Sequence, residues 1–359
     1  MNLRHIKYLG ITFLLSLLLY SCSQEARSQL RPTPNAYGPR NQLVVVMDEE
    51  LWKSDVGDTV RYYYGSAYPI LPQPEPIFDL THFTPKELEE DGFRKELRNF
   101  LFVADLSDAE SSTTKMLNKD LGSEKIRAAK EDVNSSTTVA KDRWAKEQLM
   151  IFVYSDGKEK LKEQLIKTFP AAKKRINKAN AVKIEDNVYV SGENGFINSE
   201  LQEAMSFEMR IPKPFIIAYD EQETMWLRRE TPVSSSNIMI HKQPYKSTGQ
   251  ITRENLKSIQ DSLGKKLVST DIDGTYMRIN DVDLPMLTET IELNGNYALE
   301  ARGIWDIVND YAGGPFVSYL TVNPKTNELI YINAFVHAPG EEKREFMQNL
   351  EHVVSTIRF

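Results

Sequence analysis

Two adjacent β-hairpins near the end of the chain constrain its fold more than any other feature. Asn294-Gly295 predicts a two-residue turn between strands over 288–293 and 296–302, because both turn positions accept positive φ. A second hairpin joins Phe316–Val322 to Leu329–Val336. The strands of this second hairpin are apolar on both faces, which predicts that they lie at the centre of a sheet covered on both sides.

Helical patterns surround these hairpins. Apolar residues recur at helical spacing from Phe346 to Ile357 and predict an amphipathic helix that closes the core. Thr252 predicts the N-cap of another helix, which Gly264 should end. A third helix, containing Trp305, is expected just before Gly313-Gly314.

The first half of the chain alternates short apolar strands with helices. Leu43–Met47, Asn99–Leu106 and Gln148–Tyr154 have the continuous apolar character of strands buried on both faces. Thr84 begins a capping box that predicts a helix running toward Arg98. The strand–helix pattern at 42–63 recurs at 148–169; either a degenerate duplication or the shared physics of buried strands explains the recurrence.

The N-terminal 22 residues are typical of an exported chain. Arg4 and Lys7 precede an apolar run of about 13 residues, shorter than the roughly 20 residues that a membrane-spanning helix needs. Leu19-Tyr20-Ser21-Cys22 resembles the lipobox of bacterial lipoproteins, although Tyr20 is larger than the residue usual at that position. The resemblance implies cleavage before Cys22 and acylation of its thiol, since two or three acyl chains anchor a protein durably. The alternative is an ordinary secreted protein.

Composition limits the remaining possibilities. Cys22 is the only cysteine, so its lipidation would leave no disulfide, no thiol nucleophile and no cysteine-ligated metal. The net charge of −7, without a concentrated basic stripe, argues against nucleic-acid binding. Residues 23–42 are polar and proline-containing, which predicts a tether between the lipid and a globular body.

These patterns predict an α+β fold with mixed and antiparallel sheets and packed amphipathic helices. They leave open whether two αβ lobes are related. The expected organisation is a signal peptide (1–21), a lipidated tether (22–42), an N-terminal αβ lobe (43–206) with a polar helical insertion around 107–147, and a C-terminal α+β lobe (207–359).

Motifs of known chemistry find little support. Asp271-Ile272-Asp273-Gly274-Thr275 resembles the first motif of haloacid dehalogenase-type phosphatases, but it lacks a long apolar strand before it and a sizeable domain after it, so we interpret it as a polar turn. The five histidines show no zinc-ligand spacing, and no serine-hydrolase elbow or P-loop occurs. We therefore expect no metal, no cofactor and no identifiable catalytic residue.

One set of residues in the C-terminal region could form a surface cluster. Gly313-Gly314 is either an anion-binding nest of backbone amides or a tight entry into a strand, and we favour the second interpretation. The charged residues expected near it are more typical of ion pairs on a solvated face than of an acid–base site. The members of the cluster are Glu300, Arg302, Trp305, Gly313, Gly314, Lys343 and Arg344.

The same region carries a resemblance to a family. Several segments are similar to the signature of an uncharacterised lipoprotein family of the Bacteroidetes, a domain of unknown function. These segments are Asn294–Ala298, Glu300, Arg302–Trp305, Gly313–Phe316, Phe335-Val336, and Ala338–Gly340 with Lys343-Arg344. Ile304 stands where leucine is expected. The resemblance implies an envelope lipoprotein and brings no activity or catalytic residue with it.

The leading functional hypothesis is a non-enzymatic, membrane-anchored envelope lipoprotein that acts through binding or assembly with an unknown protein or glycan. Ser23 after the cysteine suits the outer membrane, facing the periplasm, although surface exposure stays open. The alternative is a hydrolase that acts on envelope carbohydrate or peptide through carboxylates. Two carboxyl groups about 5–9 Å apart in a deep pocket would favour that alternative.

Overall fold

The computed structural model describes residues 33–132, 136–221 and 223–359. The predicted signal peptide, Cys22 and the first part of the tether lie outside these residues. The chain forms two compact units. Unit 1 consists of Met1–Val56, described from residue 33 onward, and Thr81–Gln164; unit 2 consists of Gly57–Leu80 and Leu165–Phe359.

The helices and strands of the described residues are as follows. The α-helices are α1 (Glu49–Trp52), α2 (Asp55–Tyr64), α3 (Pro85–Glu90), α4 (Ser112–Leu121), α5 (Ser123–Glu131), α6 (Lys158–Val188), α7 (Gly195–Met205), α8 (Arg253–Leu267) and α9 (Arg344–Val354). The strands are β1 (Gln42–Val46), β2 (Asp79–Phe83), β3 (Asn99–Asp105), β4 (Thr137–Lys141), β5 (Leu149–Ser155), β6 (Ile216–Glu221), β7 (Thr224–Glu230), β8 (Ser235–Pro244), β9 (Tyr276–Asn280), β10 (Leu287–Leu293), β11 (Asn296–Val308), β12 (Gly313–Asn323) and β13 (Glu328–His337).

Unit 1 is built on a five-stranded sheet with the order β2-β1-β3-β5-β4. β1, β3 and β5 are parallel, and β4 is antiparallel to β5. β3 and β5 are buried along their whole length, which accounts for their continuous apolar sequences. One face of the sheet packs against α3, α4 and α5 through Leu88, Leu117 and Ile126.

Unit 2 is built on an eight-stranded antiparallel sheet. Seven strands follow the order β10-β11-β12-β13-β8-β7-β6, and the eighth, β9, pairs with β11. Successive side chains on a strand point to opposite faces. On β12, Val317 and Tyr319 join a core cluster with α7 and α9, whereas Phe316 and Leu320 join a second cluster with α8. Helices therefore cover both faces of this sheet.

The structure confirms the predicted α+β class and several of its local elements. Asn294 and Gly295 both have positive φ and connect β10 to β11. β12 and β13 pair with each other and with β11 and β8 on their outer edges, so they are central. Thr84 forms the predicted capping box of α3, and the Thr252 side chain caps α8.

Three local predictions were wrong. Trp305 lies on β11 and not on a helix, because this strand continues past Arg302 to pair with both β12 and β9. Gly264 does not end α8, which continues to Leu267; a Cβ at Gly264 would lie 2.6 Å from the carbonyl oxygen of Met277, so glycine permits close packing of β9 on the helix. α3 stops at Glu90, and a 3₁₀ turn follows it.

Unit 1 contains the strands of the recurring strand–helix segments and the polar stretch predicted from the sequence. The recurring strand–helix segments begin with β1 and β5, which belong to the same sheet and run in the same direction. Within the polar stretch 107–147 lie α4, α5 and the edge strand β4. No helix in the described part of the chain is both long enough and apolar enough to cross a membrane.

Candidate functional site

A partly enclosed cavity of about 80 Å³ lies in unit 2 beneath α9. Its walls come from the end of α6, the segment before β6, the hairpin of β7 and β8, and one face of α9. It is lined by Val188, Pro212, Phe215, Arg229, Thr231, Ser234, Ser236, Phe346, Asn349, Leu350 and Val353. Among the residues that the structure describes, the lining contains one cation, Arg229, and no carboxylate.

Strand periodicity places Arg229 in this cavity. Met225 and Leu227 on β7 face the core cluster under α9, and Arg229 has the same parity. Ser236 pairs directly with Arg229 on β8, on the face that Ile238 fills farther along the strand. Two polar residues thus lie opposite each other where the apolar pattern predicts core residues.

Among the described residues, the side chain of Arg229 has no hydrogen-bond or ion-pair partner. Its neighbour Arg228 differs, because it forms an ion pair with Glu230 and lies over the ring of Trp226. The Ser236 hydroxyl also has no partner within the described ranges. A half-buried guanidinium is therefore available to a ligand.

The turn between β7 and β8 fixes one rim of the cavity. The Thr231 hydroxyl accepts a hydrogen bond from the Ser234 amide at 3.0 Å and shares a 2.8 Å hydrogen bond with the Ser234 hydroxyl. The Thr231 amide donates to the Ser234 carbonyl at 2.8 Å. The Thr231 and Ser234 hydroxyls therefore bond to each other, and neither bonds to Arg229.

α9 supplies the apolar wall. Phe346, Leu350 and Val353 recur at spacings of four and three residues, which places them on one helical face. Phe215 and Val188 complete the apolar lining. Within the described part of the chain, the cavity thus combines one unpaired positive charge and one free hydroxyl with an apolar wall. This is the composition of a site for a small group that is anionic at one end.

Two residues of the sequence-predicted cluster position α9. Lys343 and Arg344 donate their backbone N–H groups to the buried carboxylate of Glu75 at 2.6 and 2.9 Å. The Arg344 guanidinium also binds Asp79, at 2.8 Å, and the Pro76 carbonyl. The helix that lines the cavity is thereby attached to the proline-rich segment before β2.

Glu300 and Arg302 have different partners. The Arg302 guanidinium binds Glu300 at 2.6 Å and both oxygens of Glu351 at 2.7 and 3.1 Å. Burial disfavours its charge, but Glu351 outweighs this effect and raises the pKa of Arg302. Burial and the Glu351 charge raise the pKa of Tyr68, whose hydroxyl donates to Glu351. This network ties β11 to α9.

Trp305, Gly313 and Gly314 form a third set. Trp305 pairs with Gly314 in the sheet and packs against Phe335. A Cβ at Gly314 would lie 1.9 Å from the Val336 carbonyl oxygen, and one at Gly313 would lie 2.8 Å from the Trp305 carbonyl oxygen. The glycines therefore permit close approach of strands, which is the interpretation that the sequence favoured over an anion nest.

The seven predicted residues thus fall into three sets with separate contacts, and none of them lines the cavity at Arg229. The predicted lipidation site, Cys22, lies outside the described residues.

Unit 1 contains a wider crevice of about 520 Å³ at the carboxyl ends of β1 and β3, the usual place for ligands in an open parallel sheet. Its two strand-end carboxylates already bind the chain. Asp48 accepts hydrogen bonds from the Ser111 and Ser112 hydroxyls, and Asp105 accepts one from the Gly157 amide at 2.9 Å. Burial raises the pKa of Asp48, but these hydroxyls and the Thr113 amide outweigh it, so this pKa lies below its ordinary value.

A second cavity of unit 1, of about 480 Å³, contains several lysines around Trp144. Its charges are largely balanced by ion pairs. Lys95 lies 3.6 Å from Glu89, Lys115 lies 2.7 Å from Glu110, and Arg143 binds Asp120. This pattern is that of a solvated, ion-paired surface.

Other sequence motifs occupy structural positions. Asp271–Thr275 forms a turn between α8 and β9, in which the Thr275 hydroxyl donates to the Ile272 carbonyl at 2.7 Å. Within the described ranges, no group of three or more His, Cys, Asp or Glu residues is arranged to hold a metal ion.

Comparisons with known proteins match the chain to two domains of unknown function. Residues 36–189 match a domain of unknown function (DUF8532), and residues 193–356 match another (DUF4837), which is consistent with an uncharacterised family. No curated protein matches the chain. A human StarD13 (DLC2) lipid transfer and protein localization domain is 12% identical to this chain, with a TM-score of 0.21, and the match covers 45% of this chain and 97% of that domain.

Sequence reasoning missed Arg229 and Ser236. A signal was present, because Met225, Leu227 and Arg229 have one parity on a strand whose core face is otherwise apolar. The parity becomes informative only when Met225 and Leu227 are known to face the core cluster under α9.

Proposed function

We propose that the protein is a lipid-anchored binding protein of the bacterial cell envelope, whose unit 2 cavity takes an anionic group carried by a partner. A single observation carries the binding proposal: Arg229 lies unpaired, among the described residues, in a cavity that has an apolar floor and no carboxylate in its lining. An unpaired, half-buried guanidinium is costly unless a ligand compensates it. A carboxylate has two oxygens that can accept hydrogen bonds from the planar set of N–H donors of the guanidinium.

The N-terminal sequence supports the anchoring proposal. In this proposal, the signal segment is cleaved before Cys22, the thiol carries acyl chains, and residues 23–42 hold the body away from the membrane. The protein then belongs with the Bacteroidetes envelope lipoproteins that its sequence resembles. We place it in the outer membrane, facing the periplasm, with a protein partner.

Anchoring is tested by replacing Cys22 with alanine. We expect the wild-type chain to incorporate labelled palmitate and to sediment with outer membranes, and Cys22→Ala to lose the label and the sedimentation. Equal membrane retention of the variant would refute lipidation as the anchor. Removal of the body by protease added to intact cells would refute the periplasmic orientation.

Binding is tested with propionate and with its uncharged isostere, propionamide. We expect propionate to perturb the NMR signals of residues that line the cavity in a saturable manner, and propionamide to leave them unchanged. Arg229→Gln should abolish the response. Arg228→Gln is the matched control, because Arg228 lies next in the chain and has its own carboxylate partner. An equal response to the two compounds, or no response to propionate, would refute an anion site.

A further inference from the structure

The size of the cavity limits what can enter it. Its volume of about 80 Å³ holds two or three waters at about 30 Å³ each, or one small organic group. Ligand pockets that enclose a whole drug-sized molecule occupy about 300–1,000 Å³. A long acyl chain or a sugar ring with its substituents would therefore remain mostly outside, so the cavity holds one end of a ligand.

The polar groups specify the chemistry of that end. The Arg229 guanidinium and the Ser236 hydroxyl lie on directly paired strand residues, and both are donors without a partner among the described residues. Two neighbouring donors and one positive charge suit the two oxygens of a carboxylate. The Thr231 hydroxyl is occupied by Ser234, so it does not compete for the ligand.

The apolar residues specify what stands next to the carboxylate. Phe346, Leu350 and Val353 form a wall that offers no charge. A carboxylate beside a small apolar group is the chemistry of the last residue of a peptide chain, and capture of a terminal carboxylate is a recurring mode of peptide recognition.

Two exposed apolar residues lie close in sequence to the lining of the cavity. Val190 and Val233 are 81% and 50% exposed, and each lies within two residues of a lining residue, Val188 and Ser234 respectively. A short free acid that fills the cavity would leave such residues in water, whereas a longer chain could cover them. This favours a peptide over a free short carboxylic acid, although both share the terminal chemistry.

From this combination we infer that the cavity binds the C-terminal residue of a peptide or protein partner. The free carboxylate of that residue contacts Arg229 and Ser236, and its small apolar side chain contacts Phe346 and Leu350. This inference rests on the proposed function, because it names the class of partner for the same anion site. Specificity comes from the charge of the terminus and from the limited space for the last side chain.

The test uses the full-length chain purified in detergent and isothermal titration with an acetylated tri-alanine peptide. We expect the free acid to bind, and the C-terminal amide of the same peptide to bind at least about tenfold more weakly, because hydrogen bonds to a charged group are lost. A peptide that ends in tryptophan should also bind more weakly, since the indole exceeds the cavity. Arg229→Gln should lose at least about tenfold in affinity for the free acid, and Arg228→Gln should keep wild-type affinity.

Propionate in the same titration separates this inference from the proposed function. If propionate binds as tightly as the tri-alanine acid, or if the acid and amide peptides bind equally, the peptide terminus is refuted while an anion site stands on its own test. If neither the peptide acid nor propionate binds, both proposals fail. A second variant, Ser236→Val, keeps a strand-compatible residue and should lose affinity without unfolding the protein.

Discussion

Glu75 caps the N-terminus of α9 from a distant part of the chain, and its replacement by glutamine would measure the strength of that contact. Glu75 is 7% exposed, and its carboxylate accepts hydrogen bonds from the backbone N–H groups of Lys343 and Arg344 at 2.6 and 2.9 Å. Lys343, at the N-cap position, supplies no side-chain cap of its own. The first turn of α9 therefore depends on Glu75 for two of its otherwise unsatisfied donors.

The magnitude follows from what glutamine retains. In Glu75→Gln, the side-chain carbonyl oxygen can still accept a hydrogen bond from one backbone N–H group. The side-chain NH₂ group, which is a donor, faces the second backbone N–H group and cannot accept its hydrogen bond. Loss of one hydrogen bond to a charged acceptor costs about 1.5–3 kcal/mol, and loss of a negative charge at a helix N-terminus costs about 0.3–2 kcal/mol. Because the two effects overlap, we expect the free energy of unfolding of unit 2 to fall by about 2–4 kcal/mol.

Urea denaturation combined with hydrogen exchange provides the assay. We expect a lower urea midpoint and faster exchange in peptides that span Arg344–Val354. The control is Glu342→Gln, at an exposed residue just before the helix. A loss below about 1 kcal/mol, which is the ordinary range for a surface substitution, or exchange that rises equally throughout the chain, would refute the capping role of Glu75.

Three further predictions follow from local geometry. Gly314→Ala should destabilise unit 2 by about 3 kcal/mol or more in urea denaturation, because its Cβ would lie 1.9 Å from the Val336 carbonyl oxygen and the strands must separate. Asp48→Asn should lower the free energy of unfolding at pH 7. Because the folded-state pKa of Asp48 is lowered, the stability that Asp48 contributes is present above its ordinary pKa of about 3.9 and is lost as the pH falls through the folded-state pKa. The difference in stability between variant and wild type should therefore shrink in acid. Ser236→Val should leave the melting temperature equal or higher, because valine fills part of the cavity and suits a strand, and it should weaken propionate binding in the NMR titration.

Hairpins and helix ends could be predicted from the sequence because their signals are local. Asn294-Gly295 supplies the two positive φ angles of the turn, and Thr84 and Thr252 supply side-chain caps within three residues of their acceptors. The C-terminal helix could be predicted because its apolar residues repeat at helical spacing over several turns. These features require no knowledge of distant contacts.

The failures concern residues whose role depends on a distant strand. Gly264 has the composition of a helix end, but its role is set by the Met277 carbonyl, which passes close to the helix. Trp305 follows Gly303 in a sequence without clear alternation, and only pairing with β9 and β12 keeps the segment extended. No local signal separates these cases from an ordinary helix end or helix.

Arg229 was missed for a different reason. In Arg228-Arg229-Glu230, either arginine could pair with the glutamate and lie in solvent, so composition does not distinguish them. Only the strand pairing shows that Arg228 lies with Glu230 on the face opposite the core cluster under α9, while Arg229 shares the parity of Leu227. The candidate site thus required a register, which the sequence alone does not fix.

The charge of Arg229 leads to a last prediction, because among the described residues it lacks the carboxylate partner that three other arginines of unit 2 have. Arg302, Arg344 and Arg210 each bind a carboxylate, at 2.7 to 2.8 Å from Glu351, Asp79 and Glu185 respectively. Removing a half-buried charge that lacks such a partner is often stabilising when an apolar side chain of similar length replaces it. We therefore expect Arg229→Met to raise the free energy of unfolding by about 0.5–1 kcal/mol while it abolishes propionate binding, a trade of stability for function. Urea denaturation without ligand measures the first effect and NMR titration the second, with Arg228→Met as the control that should lose its ion pair and gain nothing. A loss of more than about 1 kcal/mol in Arg229→Met would mean that the arginine stabilises the fold, and the case for a ligand-binding role would fail.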